Sequence, residues 1–156
     1  MRQRDNSTFA SKVSLRRALL RELSESPVVL ETHGGLGRVY AACYRGVQAG
    51  VVCEKDPGRS QFLAVQRPTW AVYEGDAAVL LRAGVGAHLD VNVLDLDPFG
   101  EPWPFVEAFF ASGRTKVARL VVVVNDGLRQ TVKLGCAWQV GSLSEAVAEF
   151  GNALYH

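Results

Sequence analysis

The sequence predicts an α/β fold: a Rossmann-like, doubly wound, mostly parallel sheet with helices on both faces, in one compact domain. Continuous apolar runs of strand length recur along the chain with polar residues only at their ends, the pattern of strands buried on both faces. Helix-length segments separate those runs, and alternating strands and helices build parallel sheets. The chain has 156 residues, enough for one domain with a sizeable core and too few for two.

The elements follow in order. Between positions 12 and 24, Val13, Leu15, Leu19, Leu20 and Leu23 are interleaved with Lys12, Arg16, Arg17 and Arg21. This predicts an amphipathic basic helix packed on the sheet edge. Residues 1–26 are accordingly set apart as an N-terminal basic helical segment, with 27–156 as the Rossmann-like domain. Strands are expected near 28–31, 51–54, 70–74, 89–95 and 117–124, where apolar runs such as Val28-Val29-Leu30 and Leu120-Val121-Val122-Val123-Val124 lie. Crossover helices are expected over 36–49, 58–66, 76–83 and 101–112. Pro102 suits a first helical turn, and Pro104 must share that turn unless the helix begins later. Thr131 to Val140 offers one further strand, and Gly141-Ser142-Leu143-Ser144 opens a last helix capped by Ser142 or Ser144.

Composition narrows the function classes. The formal net charge is +1, so affinity for polyanions must come from local patches. Arg2, Arg4, Arg16, Arg17 and Arg21, together with Arg114, Lys116 and Arg119, are the candidates to hold backbone phosphates; solvated helix faces are their ordinary alternative. Cys43, Cys53 and Cys136 are an odd set without CxxC spacing, which indicates neither a disulfide framework nor a zinc site and favours the cytosol. His33, His88 and His156 lack ligand spacing, so no metal is expected. No signal-peptide core and no membrane-length apolar run is present. The expected setting is soluble and cytoplasmic. No Gly-x-Ser-x-Gly elbow occurs, which argues against an α/β-hydrolase.

The chemistry is concentrated at strand ends. Glu31-Thr32-His33-Gly34-Gly35-Leu36-Gly37 joins the first strand to its helix. Its glycines permit positive φ and close approach of a ligand. The nicotinamide version of such a turn needs a third glycine where Tyr40 stands, and no phosphate-binding lysine follows, so both phosphate-loop patterns fail. Glu31 instead repels phosphate and attracts a cation, such as the amino group of a methionine-like tail. Glu54 closes the second strand, where an acid suits ribose hydroxyls. Glu74-Gly75-Asp76 closes the third and places an acid where an adenine amino group could meet it. The fourth ends in Leu94-Asp95-Leu96-Asp97-Pro98-Phe99-Gly100. Proline stiffens that turn, so the Asp97 carboxylate and the Pro98 carbonyl form a fixed pair of acceptors for a planar amine. Phe99 can stack on a flat ring. Each acid alone is more often a cap or a solvated end; acids at four successive strand ends are a rarer coincidence.

Together these motifs resemble a class I S-adenosylmethionine-dependent methyltransferase over roughly residues 28–126. The glycine turn is similar to the family's Glu/Asp-x-Gly-x-Gly-x-Gly signature, with His33 in place of the first glycine. The resemblance implies that Glu31, His33, Gly35 and Gly37 line the methionine part of S-adenosylmethionine, that Glu54 holds its ribose, and that Asp76 and Asp95 complete the cofactor site. Asp97-Pro98-Phe99-Gly100 resembles the motif of enzymes that methylate exocyclic amines, most of all the tRNA guanine-N2 dimethyltransferases. It implies in-line transfer with Asp97, Pro98 and Phe99 as the catalytic group, and RNA or DNA as a partner. The zinc-bearing and target-recognition regions of larger relatives have no counterpart. A protein or small-molecule amine as acceptor, and a cofactor-binding domain without turnover, are the competing readings.

Overall fold

The computed structural model describes residues 8–114 and 117–125. The expected strand at 131–140 and the last helix lie outside them, as do Arg2, Arg4, Lys116 and Cys136. The described chain runs α1 (Phe9–Arg21), β1 (Val28–Glu31), a π-helical turn (Tyr40–Tyr44), β2 (Ala49–Glu54), α2 (Pro57–Gln66), β3 (Trp70–Glu74), α3 (Ala77–Arg82), β4 (Val93–Leu96), α4 (Trp103–Ala111) and β5 (Val121–Val124). The strands form one sheet in the order β3-β2-β1-β4-β5, and every neighbouring pair is parallel.

Alternation along each strand divides the core into two layers. Val29, Val52 and Val93 face one side, where Tyr40, Tyr44, Leu63 and Trp70 are buried with them. Leu30, Val51 and Leu94 face the other, against Leu81, Ala108 and Phe109 of α3 and α4. The fold is therefore wound on both faces, as the apolar runs predict. Gly50 is set beside Trp70 in the β2–β3 register. A Cβ there would come within 2.6 Å of the indole, so only glycine lets the ring lie flat on the strand.

Helix starts follow local chemistry. Asp56 caps α2, its side chain accepting from the Arg59 N–H, with Pro57 next in line. Asp76 caps α3 through the N–H groups of Ala78 and Val79. Pro102 takes the N-cap position of α4 and Pro104 lies in its first turn, the later start that two prolines require.

Three expectations need correction. Strand four is shorter than its apolar run, because Leu89 and Val91 belong to turns that close back on Gly86 and Leu89, and strand five starts at Val121, where its pairing with β4 starts. The long helix expected over 36–49 is a short helical stretch that widens into the π turn. α1 reaches beyond the sheet edge: it lines a common cavity with the edge strand β5, it contacts the π turn, and Leu20 joins the core layer under Val29. A buried ion pair, described next, draws it there.

Candidate functional site

The strand order locates the site. Numbering runs outward from β1 on one side and from β4 on the other, so the direction of winding reverses between β1 and β4. Open α/β sheets bind ligands in the crevice outside the carboxyl ends at this switch point. Here Glu31 of β1 is in register with Asp95 of β4. The glycine turn leaves one strand and Asp97-Pro98-Phe99-Gly100 leaves the other.

The glycine turn is tied down at both neighbouring strands. The Thr32 N–H and hydroxyl both donate to the Asp95 carbonyl, at 3.0 and 3.2 Å. The Gly34 N–H donates to the Cys53 carbonyl at 3.1 Å. Its three glycines serve different ends. A Cβ on Gly34 would strike Leu63 and Val52, and one on Gly37 would strike Gln66, so these two allow the turn to pack on α2. Gly35 has φ +52° and nothing within 4 Å of a would-be Cβ. It is the glycine with open space above it, which suits a ligand rather than a packing partner.

Glu54 backs this turn. Its Oε2 accepts from the Gly35 N–H at 2.8 Å and its Oε1 from the Asp56 N–H at 3.0 Å. Each carboxylate oxygen can accept a second hydrogen bond, which is the capacity that ribose hydroxyls would use. Asp76 caps α3 through Oδ1, so the ordinary capping role is realised there.

His33 stands where three acids, Asp97, Glu54 and Asp76, act on it electrostatically. Its Nδ1 is 2.8 Å from the Thr32 hydroxyl, and its ring meets Phe105 edge-on at 4.7 Å. Because the hydroxyl already donates to the Asp95 carbonyl, Nδ1 is the donor in that contact and Nε2 is left to accept. Burial holds the imidazole below its ordinary pKa, while Asp97, Glu54 and Asp76 pull the other way. It is neutral near pH 7.

Two of the predicted acids are turned into the protein. Glu31 is 3% exposed, and the cation it meets is the chain's own Arg67, 2.5 Å away. Arg67 is itself fully buried, with its guanidinium over the rings of Tyr40 at 4.3 Å and Trp70 at 5.1 Å. Among the described residues its Nε and Nη2 find no hydrogen-bond acceptor, so the aromatic faces supply what acceptors do not. Burial pushes the Glu31 carboxyl up to about 7; Arg67 opposes this and neighbouring Asp95 adds to it. Asp95, fully buried, accepts a fork of bonds from Arg16, Nε to Oδ2 at 2.6 Å and Nη2 to Oδ1 at 2.5 Å, plus the Tyr44 hydroxyl at 2.6 Å. These contacts make Asp95 the anchor of α1 and of the π turn.

Asp97 is the acid that reaches the mouth. Its side chain is 20% exposed. Oδ1 accepts from Lys12 Nζ at 2.7 Å and from Asn125 Nδ2 at the end of β5. Phe99 is 89% exposed, and Gly100 follows with φ +149°. The structure thus leaves Gly35, His33 and Asp97 at the rim, sets Glu54, 7% exposed, beneath the Gly35 turn, and removes Glu31 and Asp95 into the interior.

The basic residues expected to hold phosphates are mostly engaged. Arg16 is buried on Asp95. Arg17 donates to the Ala42 carbonyl, Arg119 to the Glu22 carbonyl, and Arg114 to the Val85 carbonyl while lying over Phe109. Among the described residues no cluster of His, Cys, Asp and Glu could hold a metal, and no helix is long and apolar enough to cross a membrane.

Sequence reasoning missed Lys12, Arg67, Tyr44 and Asn125. Arg16 left a signal: it falls on the apolar stripe Val13–Arg16–Leu20–Leu23, where a lone cation needs a buried partner. No family model matches this chain. No curated protein matches it either.

Proposed function

We propose that this chain is an S-adenosylmethionine-dependent methyltransferase acting on an exocyclic amine, with a nucleic-acid base as the acceptor. One observation carries the reading: the switch point sets the open Gly35 turn, backed by Glu54, beside Asp97-Pro98-Phe99. The cofactor's bound form supplies the electrophilic methyl group. Gly35 and Glu54 would hold it, since one has open space and the other spare acceptor capacity. Asp97 would accept a hydrogen bond from the acceptor amine and aim its lone pair, a positioning effect. Phe99 would stack on the ring; base–aromatic stacking is worth about 1–3 kcal/mol per base. A base in a duplex must be flipped out to arrive there.

A protein or small-molecule amine is the second reading, favoured by Arg16, which is buried on Asp95, and by Arg114, part-buried on the Val85 carbonyl, neither of which is free to hold a phosphate. Methyl incorporation from labelled cofactor into tRNA, DNA and protein extract separates the two. Asp97→Ala should keep cofactor affinity and lose turnover by orders of magnitude. Wild-type incorporation by that variant would remove Asp97 from the mechanism. No incorporation by the wild type into any pool would leave a cofactor-binding domain without turnover.

A further inference from the structure

Asp97 carries a bond that its proposed role does not use. Lys12, 85 positions away in sequence, places an amino group 2.7 Å from Oδ1. That is where an acceptor amine would bind. As an ammonium, Lys12 has no lone pair to donate, so it fills the position without reacting.

The helix that carries it is held unevenly. Its charged anchors lie at or beyond Arg16, the fork on Asp95 and the bonds from Arg17 to the Ala42 carbonyl, while ahead of them the Val13 carbonyl takes only a weak thiol bond from Cys43 at 3.8 Å. At the other end Thr8 makes no side-chain cap and no acid lies in the first turn, so among the described residues the first N–H groups gain neither a side-chain cap nor favourable charge. Between this end and the sheet lies a cavity of about 230 Å³, bounded by Ser11, Lys12 and Leu15 on one side and Val123, Val124 and Asn125 on the other. Groups that line a void forgo packing contacts. The Lys12–Asp97 pair itself is partly exposed, 18% and 20% for the two side chains, and salt screens such pairs.

We infer that Lys12 is an internal competitor for the acceptor position on Asp97, and that Phe9–Leu15 is a strap, hinged at Arg16, that unseats to admit the acceptor. This rests on Asp97 being the acceptor-binding acid. When Lys12 leaves, Asn125 keeps its bond to Oδ1 and holds the carboxylate in place.

Amide hydrogen exchange on the full chain reads the strap independently of any reaction. Lys12→Met and, separately, Asp97→Ala should quicken exchange at residues 12–19, whose N–H groups donate to carbonyls of the strap and the residue before it, and leave 20–22 protected. Unchanged exchange in both overturns the strap, whether or not the chain transfers a methyl group, so its failure is distinct from failure of the proposed activity. In the transfer assay, Lys12→Met should lower the acceptor KM by up to roughly five-fold, the scale of a partly exposed ion pair. Its kcat and S-adenosylhomocysteine affinity should hold. A higher KM or a lower kcat in Lys12→Met would instead make Lys12 a positioning group for Asp97. A methyl-group mass gain on Lys12 would make it an acceptor, and either result overturns the competitor.

Discussion

Glu54 holds a loop and keeps the means to hold a ligand. Its two oxygens each take one backbone N–H, and both N–H groups belong to turns that rim the crevice. Glu54→Ala should therefore weaken S-adenosylmethionine binding roughly ten-fold or more, since hydrogen bonds to charged groups contribute about 1.5–3 kcal/mol. Gly35→Val should weaken it as well, because the side chain enters open space from a backbone of φ +52° that β-branched residues avoid. Calorimetry on both variants checks the pocket, and unchanged affinity in both would show it to be elsewhere. The Cys53 thiol bears on location within the core: burial pushes its pKa up to about 12, with Arg114 opposing. In a Cys136→Ser background, a thiol reagent at pH 8 should label Cys43 and spare Cys53 until the chain unfolds. The residues whose positions were legible, Gly35, Glu54 and Asp97, are those whose role depends on a strand end. Arg67 was not, because its partner Glu31 lies 36 positions away and nothing local marks the pairing.

α1 shows an element set by one buried charge pair. Its basic face is a candidate surface for phosphates by sequence, yet Arg16 is 1% exposed and bound to Asp95. Burial opposes charge on Arg16, and the fork to Asp95 more than offsets it. Removing one partner of such a pair costs about 3–5 kcal/mol, because the other is left buried and uncompensated, whereas replacing both by apolar groups is often neutral. Arg16→Met should lose stability on that scale, and Arg16→Met with Asp95→Leu should recover most of it, as read by urea unfolding. If the single variant unfolds at the wild-type midpoint, α1 is not anchored through Arg16. Tyr44 donates to the same carboxylate. Tyr44→Phe should cost less, about 1–3 kcal/mol, since Asp95 keeps the stronger partner.

At the scale of the whole molecule, two carboxylates in register at the ends of β1 and β4 are each buried with an arginine from another element. For Glu31 burial wins, and its carboxyl is pushed up to about 7. Between the ordinary carboxylate range and pH 7 the unfolded chain has released a proton that the fold retains. Glu31 therefore lowers stability as pH rises through that window and contributes a constant amount above it. The unfolding free energy followed from pH 5 to 8 should show this fall; Glu31→Gln should remove it, and an identical slope in the variant would assign the effect to another group. The sequence by itself determined the layers, the parallel strands and the end of the sheet where acids gather, because burial on both faces writes continuous apolar runs and helix crossovers force one strand direction. Only the tertiary structure decided which of those acids meets solvent. A carboxylate's environment is set by whichever cation the fold carries to it, and Lys12, Arg16 and Arg67 come from elements whose docking no local spacing records.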